Sequence, residues 1–308
     1  MSVDAERIER LKQKYGAAAI ENGMRLRPDD FLEEVEWRDR IDQHYTHIWL
    51  DFTYGGLFTR KALDERTRLL VSIAQFLSLN ELEELERQIP SALGAGATPR
   101  EVLEVILQAT VYIGYIKAGR GARLCIKVLE GLGRLDEITG AQLPLDGRAS
   151  ERSLDEERAS WPAAKSAEET ALREQLLEKY GWHSISSRIR LQSHQGYDNI
   201  KSYNRIDPHY LKLWFDFIYA EMYTRGIIDD RTRLLVMVGI CLAVNEPVQL
   251  ENHMRGALLL GATPREVLEV IVNSTAYVGM PTTVLTVRML ERIAKEENRL
   301  AELTTEHW

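Results

Sequence analysis

Apolar residues recur along this chain at spacings of three and four, the period of a helix with one buried face. Val102, Val105, Ile106, Ala109 and Ile113 form one such face, and Leu69, Leu70, Ile73 and Leu77 form another. Thr98-Pro99-Arg100-Glu101 opens the first. Thr is an N-cap, Pro takes the first helical position, where its missing N–H costs nothing, and Glu101 can reach back to the cap. Thr263-Pro264-Arg265-Glu266 repeats that start. Asp64 and Asp229 are expected to cap the preceding helix in each half, and Asn80 and Asn245 to end it. Further helices are expected over about Glu81 to Leu93 and after Gly114. No alternating strand pattern with hairpin turns occurs, so the predicted class is all-α, as two tandem helical bundles.

The pattern is an internal duplication. His44-Tyr45 recurs as His209-Tyr210, 165 residues on. The same offset pairs Trp49 with Trp214, Asp51-Phe52 with Asp216-Phe217, and Thr59-Arg60 with Thr224-Arg225. It also pairs Arg66–Val71 with Arg231–Val236 and the run Gly96–Ile106 with Gly261–Ile271, the last with identical residues throughout. Upstream, Lys14-Tyr15-Gly16 matches Lys179-Tyr180-Gly181. A repeat of this length is a domain, not a solenoid unit. The predicted division is a first domain over 1–132, a linker over 133–170 that includes the polar run Gly147–Ser153, and a second domain over 171–308. The glycine-free stretch from Leu154 to Ala167 leaves room for helix within the linker.

Composition narrows the function classes. The formal net charge is −8, from 39 Lys+Arg against 47 Asp+Glu. Nucleic acid and anionic membranes reward basic surfaces, so neither is an expected partner. The longest apolar runs, Leu69–Leu79 and Leu234–Val244, are about half of the roughly 20 residues that span a bilayer. The first sixteen residues are charged throughout, so a cytoplasmic protein is expected. Cys125 and Cys241 sit at non-equivalent points of the repeat, and no metal-ligand or Cys-x-x-Cys spacing occurs.

Several spaced motifs resemble the carboxymuconolactone decarboxylase family. They are Thr224-Arg225, Asp229-Asp230-Arg231-Thr232-Arg233, Leu250-Glu251-Asn252-His253 with Ala257, Gly261–Glu266 and Tyr277-Val278-Gly279-Met280-Pro281. Thr59–Arg68 resembles the same stretch in the first copy. The likeness covers roughly 40–130 and 205–295. It implies a cofactor-independent decarboxylase-type lyase acting on a small carboxylated lactone, 4-carboxymuconolactone-like, in aromatic-acid catabolism. It also implies rings of six modules, which two fused copies would make as a homotrimer.

Such an enzyme must hold a carboxylate, stabilise a developing dienolate and deliver one proton to carbon. His253 is the candidate catalytic proton donor. Arg225, Arg231, Arg233, Glu251 and Tyr277 are the candidate substrate-binding residues, since Arg forks onto carboxylates. Arg60, Arg66 and Arg68 hold the equivalent places in the first copy, which has Gln88 in place of His253, so structural salt bridges fit these arginines equally well. Glu251 is expected to pair with an Arg. Tyr277, like Tyr112, better fits a core aromatic with a satisfied hydroxyl, a substrate hydrogen bond being the lesser reading.

Two other classes stay open. The alkylhydroperoxidase D branch of the wider superfamily is a peroxidase, but its Cys-x-x-Cys positions are Glu246 and Gln249 here, and Glu81 and Glu84 in the first copy. A non-catalytic, oligomeric ligand-binding protein is the third. No cofactor and no metal are expected.

Overall fold

The computed structural model describes residues 3–28, 30–139, 153–192 and 197–303. Every regular element among them is helical. The first copy comprises α1 (Val3–Tyr15), α2 (Ala17–Leu26), α3 (Phe31–Ile41), α4 (Gln43–Leu50), a π-helical turn (Asp51–Gly56), a 3-10 turn (Leu57–Thr59), α5 (Glu65–Leu79), α6 (Leu82–Gly94), α7 (Pro99–Gln108) and α8 (Thr110–Gly131). Two short helices follow, α9 (Asp136–Thr139) and α10 (Leu154–Ala159). The second copy comprises α11 (Ala167–Tyr180), α12 (Trp182–Gln192), α13 (Asp198–Ile206), α14 (Pro208–Trp214), a π-helical turn (Phe215–Met222), α15 (Asp230–Val244), α16 (Pro247–Leu259), α17 (Pro264–Val278), α18 (Met280–Glu296) and α19 (Leu300–Leu303). The expected linker is thus partly helical, with α10 capped by Ser153; residues 147–152 of its polar run lie outside the described residues.

The local signals act as the chain pattern predicts. Thr98 and Thr263 both form complete capping boxes with Glu101 and Glu266. Asp64 and Asp229 accept from the backbone N–H groups of Thr67 and Thr232. Asn80 and Asn245 end α5 and α15 in the left-handed region, at φ 65° and 54°. Gly114 (φ 76°) and Gly279 (φ 80°) break the chain at matching points, a conformation that a side chain disfavours.

The two copies are not separate packing units. One continuous apolar core runs through both. α5 and α15 lie against each other at its centre, where Gly239 lets the backbones approach: a Cβ there would sit 2.6 Å from Val71 Cγ1. Gln75 Nε2 crosses the same seam and donates to Ser274 Oγ (2.7 Å).

Buried ion pairs also cross it, reciprocally. Glu104 accepts from Arg225 Nε (2.7 Å) and Arg233 Nη2 (3.0 Å). Its counterpart Glu269 accepts from Arg60 Nε (2.7 Å), with Arg68 at 3.9 Å. Arg233 also donates to Gln108 Oε1 (2.8 Å). Arg233 and Glu104 are each 1% exposed. Removing one partner of such a pair strands a charge without water, at a cost of about 3–5 kcal/mol. No helix among the described residues is long and apolar enough to cross a membrane.

Candidate functional site

Each copy carries a cavity, and the two are related by the repeat. The wall of each begins in its π-helical turn, which supplies Phe52 and Tyr54 to one and Phe217 and Tyr219 to the other. Such turns widen the helix and re-aim its side chains, and they gather at functional sites. Tyr45 and Trp49 in one match Tyr210 and Trp214 in the other. The first cavity holds about 630 Å³ and the second about 450 Å³.

The last wall comes from the opposite copy. Tyr277, at the end of α17, lines the first cavity, and Tyr112, in the first turn of α8, lines the second. The Tyr112 hydroxyl shares a hydrogen bond with Nε2 of His253 on α16, and the rings meet edge to face at 5.6 Å. His253 is 0% exposed, so its imidazole sits behind Tyr112, not at the cavity surface. Burial pushes the Tyr112 phenol well above 10, so it stays protonated, and Tyr223 is raised for the same reason. Burial likewise pushes Tyr219 up to about 12; its hydroxyl donates to Gln192 Oε1 (2.6 Å). The described lining of this cavity includes no charged side chain. Gln192, Gln249, the phenols and the Trp214 indole are the polar side chains of its described lining.

The residues singled out from the sequence do not converge. None of Arg225, Arg231, Arg233, Glu251 and Tyr277 lines the cavity beside His253. Arg225 and Arg233 are held on Glu104, across the seam. Arg231 pairs with Glu266 within its own copy, as Arg66 pairs with Glu101. Glu251 accepts from Arg292 (2.6 Å) and Arg255 (2.9 Å), which hold its carboxyl below the usual range. Tyr277 faces the first cavity and shares a hydrogen bond with Ser72 across the seam (3.3 Å).

Gln192 and Tyr223 are wall residues that the motif reading did not name, and Tyr112 is one that it took for a core aromatic. The 165-residue offset marks Tyr112 as the partner of Tyr277, yet it carries no sign that the two exchange cavities. Cys241 lies in hydrogen-bond contact with Tyr112, and burial pushes its thiol up, away from the thiolate that peroxidase chemistry requires. Gln249, at a Cys position of the peroxidase branch, lines the second cavity, and Glu84 lines the first. Among the described residues no group of three or more His, Cys, Asp or Glu could hold a metal ion.

Comparison with known proteins places these features. The Carboxymuconolactone decarboxylase family matches residues 43–125 and 208–292. A "4-carboxymuconolactone decarboxylase" of Acinetobacter baylyi is 25% identical over 99 residues, covering 32% of this chain and 72% of that protein. An "Uncharacterized 15.0 kDa protein in nqo9-nqo10 intergenic region" of Paracoccus denitrificans is 39% identical over 67 residues, covering 21% of this chain and 50% of that one. The two matched segments make up more than half of the polypeptide, so the chain is a member of the carboxymuconolactone decarboxylase family with two copies of its module in one polypeptide.

Proposed function

We propose that the second cavity is the working site of a cofactor-independent, decarboxylase-type lyase, with Tyr112 presenting a proton to substrate carbon and His253 resupplying it. The observation that carries this reading is the Tyr112–His253 hydrogen bond at the cavity wall. Loss of CO2 spreads a carboxylate's charge into a dienolate. A wall of phenols and amides stabilises that dispersed charge, while withholding the strong ion pair that would hold the ground-state carboxylate. The relationship to the Acinetobacter baylyi enzyme supports the reaction class.

The absence of a charged side chain from the described lining narrows the substrate. Among the described residues neither carboxylate of a 4-carboxymuconolactone-like molecule would meet a guanidinium or ammonium, and the cost of burying charge doubles with two. A small lactone or unsaturated acid with a single carboxylate fits better. On this reading the chain acts in the cytoplasm, on a product of aromatic-ring breakdown. The stripe Ile41, Tyr45, Ile48 and Phe52 is exposed, and Ile206, Tyr210 and Leu213 repeat it. Two matching apolar stripes per chain suit a homotrimeric ring, which light scattering of the purified chain would test.

The test of function is CO2 release from 4-carboxymuconolactone and from mono-carboxylated lactones, with His253→Gln and Tyr112→Phe beside the parent. Each substitution is expected to slow turnover on the order of 10²–10⁴-fold. Full activity in His253→Gln would end the proposal. The complete burial of His253 favours one second reading, a binding protein in which the Tyr–His bond only braces the wall. That reading requires lactone binding without CO2 release.

A further inference from the structure

The first cavity follows the same plan as the second but is larger and differs in chemistry. Gln88 stands in place of His253, Arg27 in place of Gln192 and Phe58 in place of Tyr223. Arg38, whose counterpart is Tyr203, joins the lining. The first site thus has no imidazole at the position of His253 and has two guanidiniums in its lining.

These two differ in what they have left to offer. Arg27 is spent on Asp30, which accepts from Nε (3.0 Å) and Nη2 (2.6 Å). Arg38 pairs with Glu34 through Nη2 (2.6 Å). Its guanidinium lies 4.6 Å from the centroid of Trp49, and its Nε–H is buried without an acceptor among the described residues. The Arg38 side chain is 27% exposed against 14% for Arg27, so more of its guanidinium is open to a bound oxyanion. Of the two lining glutamates, Glu84 is held by Arg87 (2.7 Å) and faces Arg27 (3.7 Å), and Glu81 is exposed at the rim. The rings of Trp49, Phe52, Tyr54, Phe58 and Phe76 line the same cavity. Aromatic lining, an accessible guanidinium and a volume of about 630 Å³ suit an aromatic ring bearing an oxyanion.

We infer that the first cavity is a second binding site, for a flat aromatic carboxylate, that holds its ligand without turning it over. The ring stacks among the aromatic side chains and the carboxylate meets Arg38. Gln88 supplies a neutral amide where the other copy has a proton carrier, so the bound acid keeps its carboxylate. This inference does not rest on the reading of the second cavity.

The probe is 2-naphthoate, with 2-naphthamide as its neutral counterpart, titrated into the full chain by calorimetry. Arg38→Gln is expected to weaken naphthoate binding about tenfold or more, as for loss of a charge-assisted contact, and to leave naphthamide within about twofold. Gln88→Glu, which places a negative charge in the same cavity, is expected to act in the same direction and decides the matter if Arg38→Gln fails to fold. His253→Gln and Tyr112→Phe should leave naphthoate affinity unchanged. The inference is overturned by absence of naphthoate binding, by equal weakening of both probes, or by loss of binding only in the Tyr112 and His253 variants.

Discussion

Tyr112 and His253 share a hydrogen bond although they are 141 residues apart and belong to different copies of the repeat. The second cavity is therefore completed by the first copy, and neither copy alone carries both residues.

Tyr112→Phe removes the hydroxyl and leaves the ring. A stability loss of about 1 kcal/mol is expected from the lost bond, against a far larger fall in turnover. Urea unfolding and CO2 release, measured on the same preparation, separate the two. A large stability loss with unchanged turnover would make Tyr112 a brace only.

Glu104→Gln should be the most damaging of the seam substitutions. It leaves Arg233 and Arg225 without their counter-charge, and Arg233 is fully enclosed. A loss of about 3–5 kcal/mol is expected. Glu269→Gln should cost less, because Arg60 is about half exposed and Arg68 stands 3.9 Å away. Chemical denaturation of the two variants ranks them, and the reverse order would contradict the reciprocal pairing.

Gly239→Ala tests the close approach of α5 and α15. The new Cβ would stand 2.6 Å from Val71 Cγ1, so the helices must part. Overpacking of this kind costs about 1–3 kcal/mol. Val71→Ala in the same chain should return part of that loss, which thermal unfolding of the single and double variants would reveal.

Alkaline pH should unfold the chain through its buried acids. Burial pushes Cys125 from its ordinary 9.0 to about 12 and Tyr219 from 10.0 to about 12. Both are neutral when folded, and the unfolded chain ionises first. The stability tied to them is complete below about pH 9 and is lost as pH rises toward 12. Urea midpoints across pH 8 to about 11.5 should fall progressively. By the same physics, both thiols should resist alkylation at pH 8 in the folded chain.

The helix plan was readable from the chain because its causes are local. Capping boxes act over three residues, apolar faces over three or four, and the left-handed ends at Asn80 and Asn245 within one. The duplication was readable for another reason: identical runs at a fixed offset need no geometry. The pairing of Glu251 with arginine was within reach as well, since Arg255 lies one helical turn away.

Partner choice across the seam was not readable, and the repeat itself is the reason. Glu104 and Glu269 sit in identical eleven-residue runs, and Arg68 and Arg233 in identical six-residue runs. Either glutamate could serve either arginine by any local rule. Tyr112 and Tyr277 are ambiguous in the same way, so the motif drew Tyr277 to His253 when the fold brings Tyr112. By itself the sequence determined two all-helical copies with unequal chemistry at residues 88 and 253. Only the tertiary structure decided that the copies trade their tyrosines and glutamates, because that follows from how α5 and α15 pack, with Gly239 against Val71, and not from any spacing along the chain.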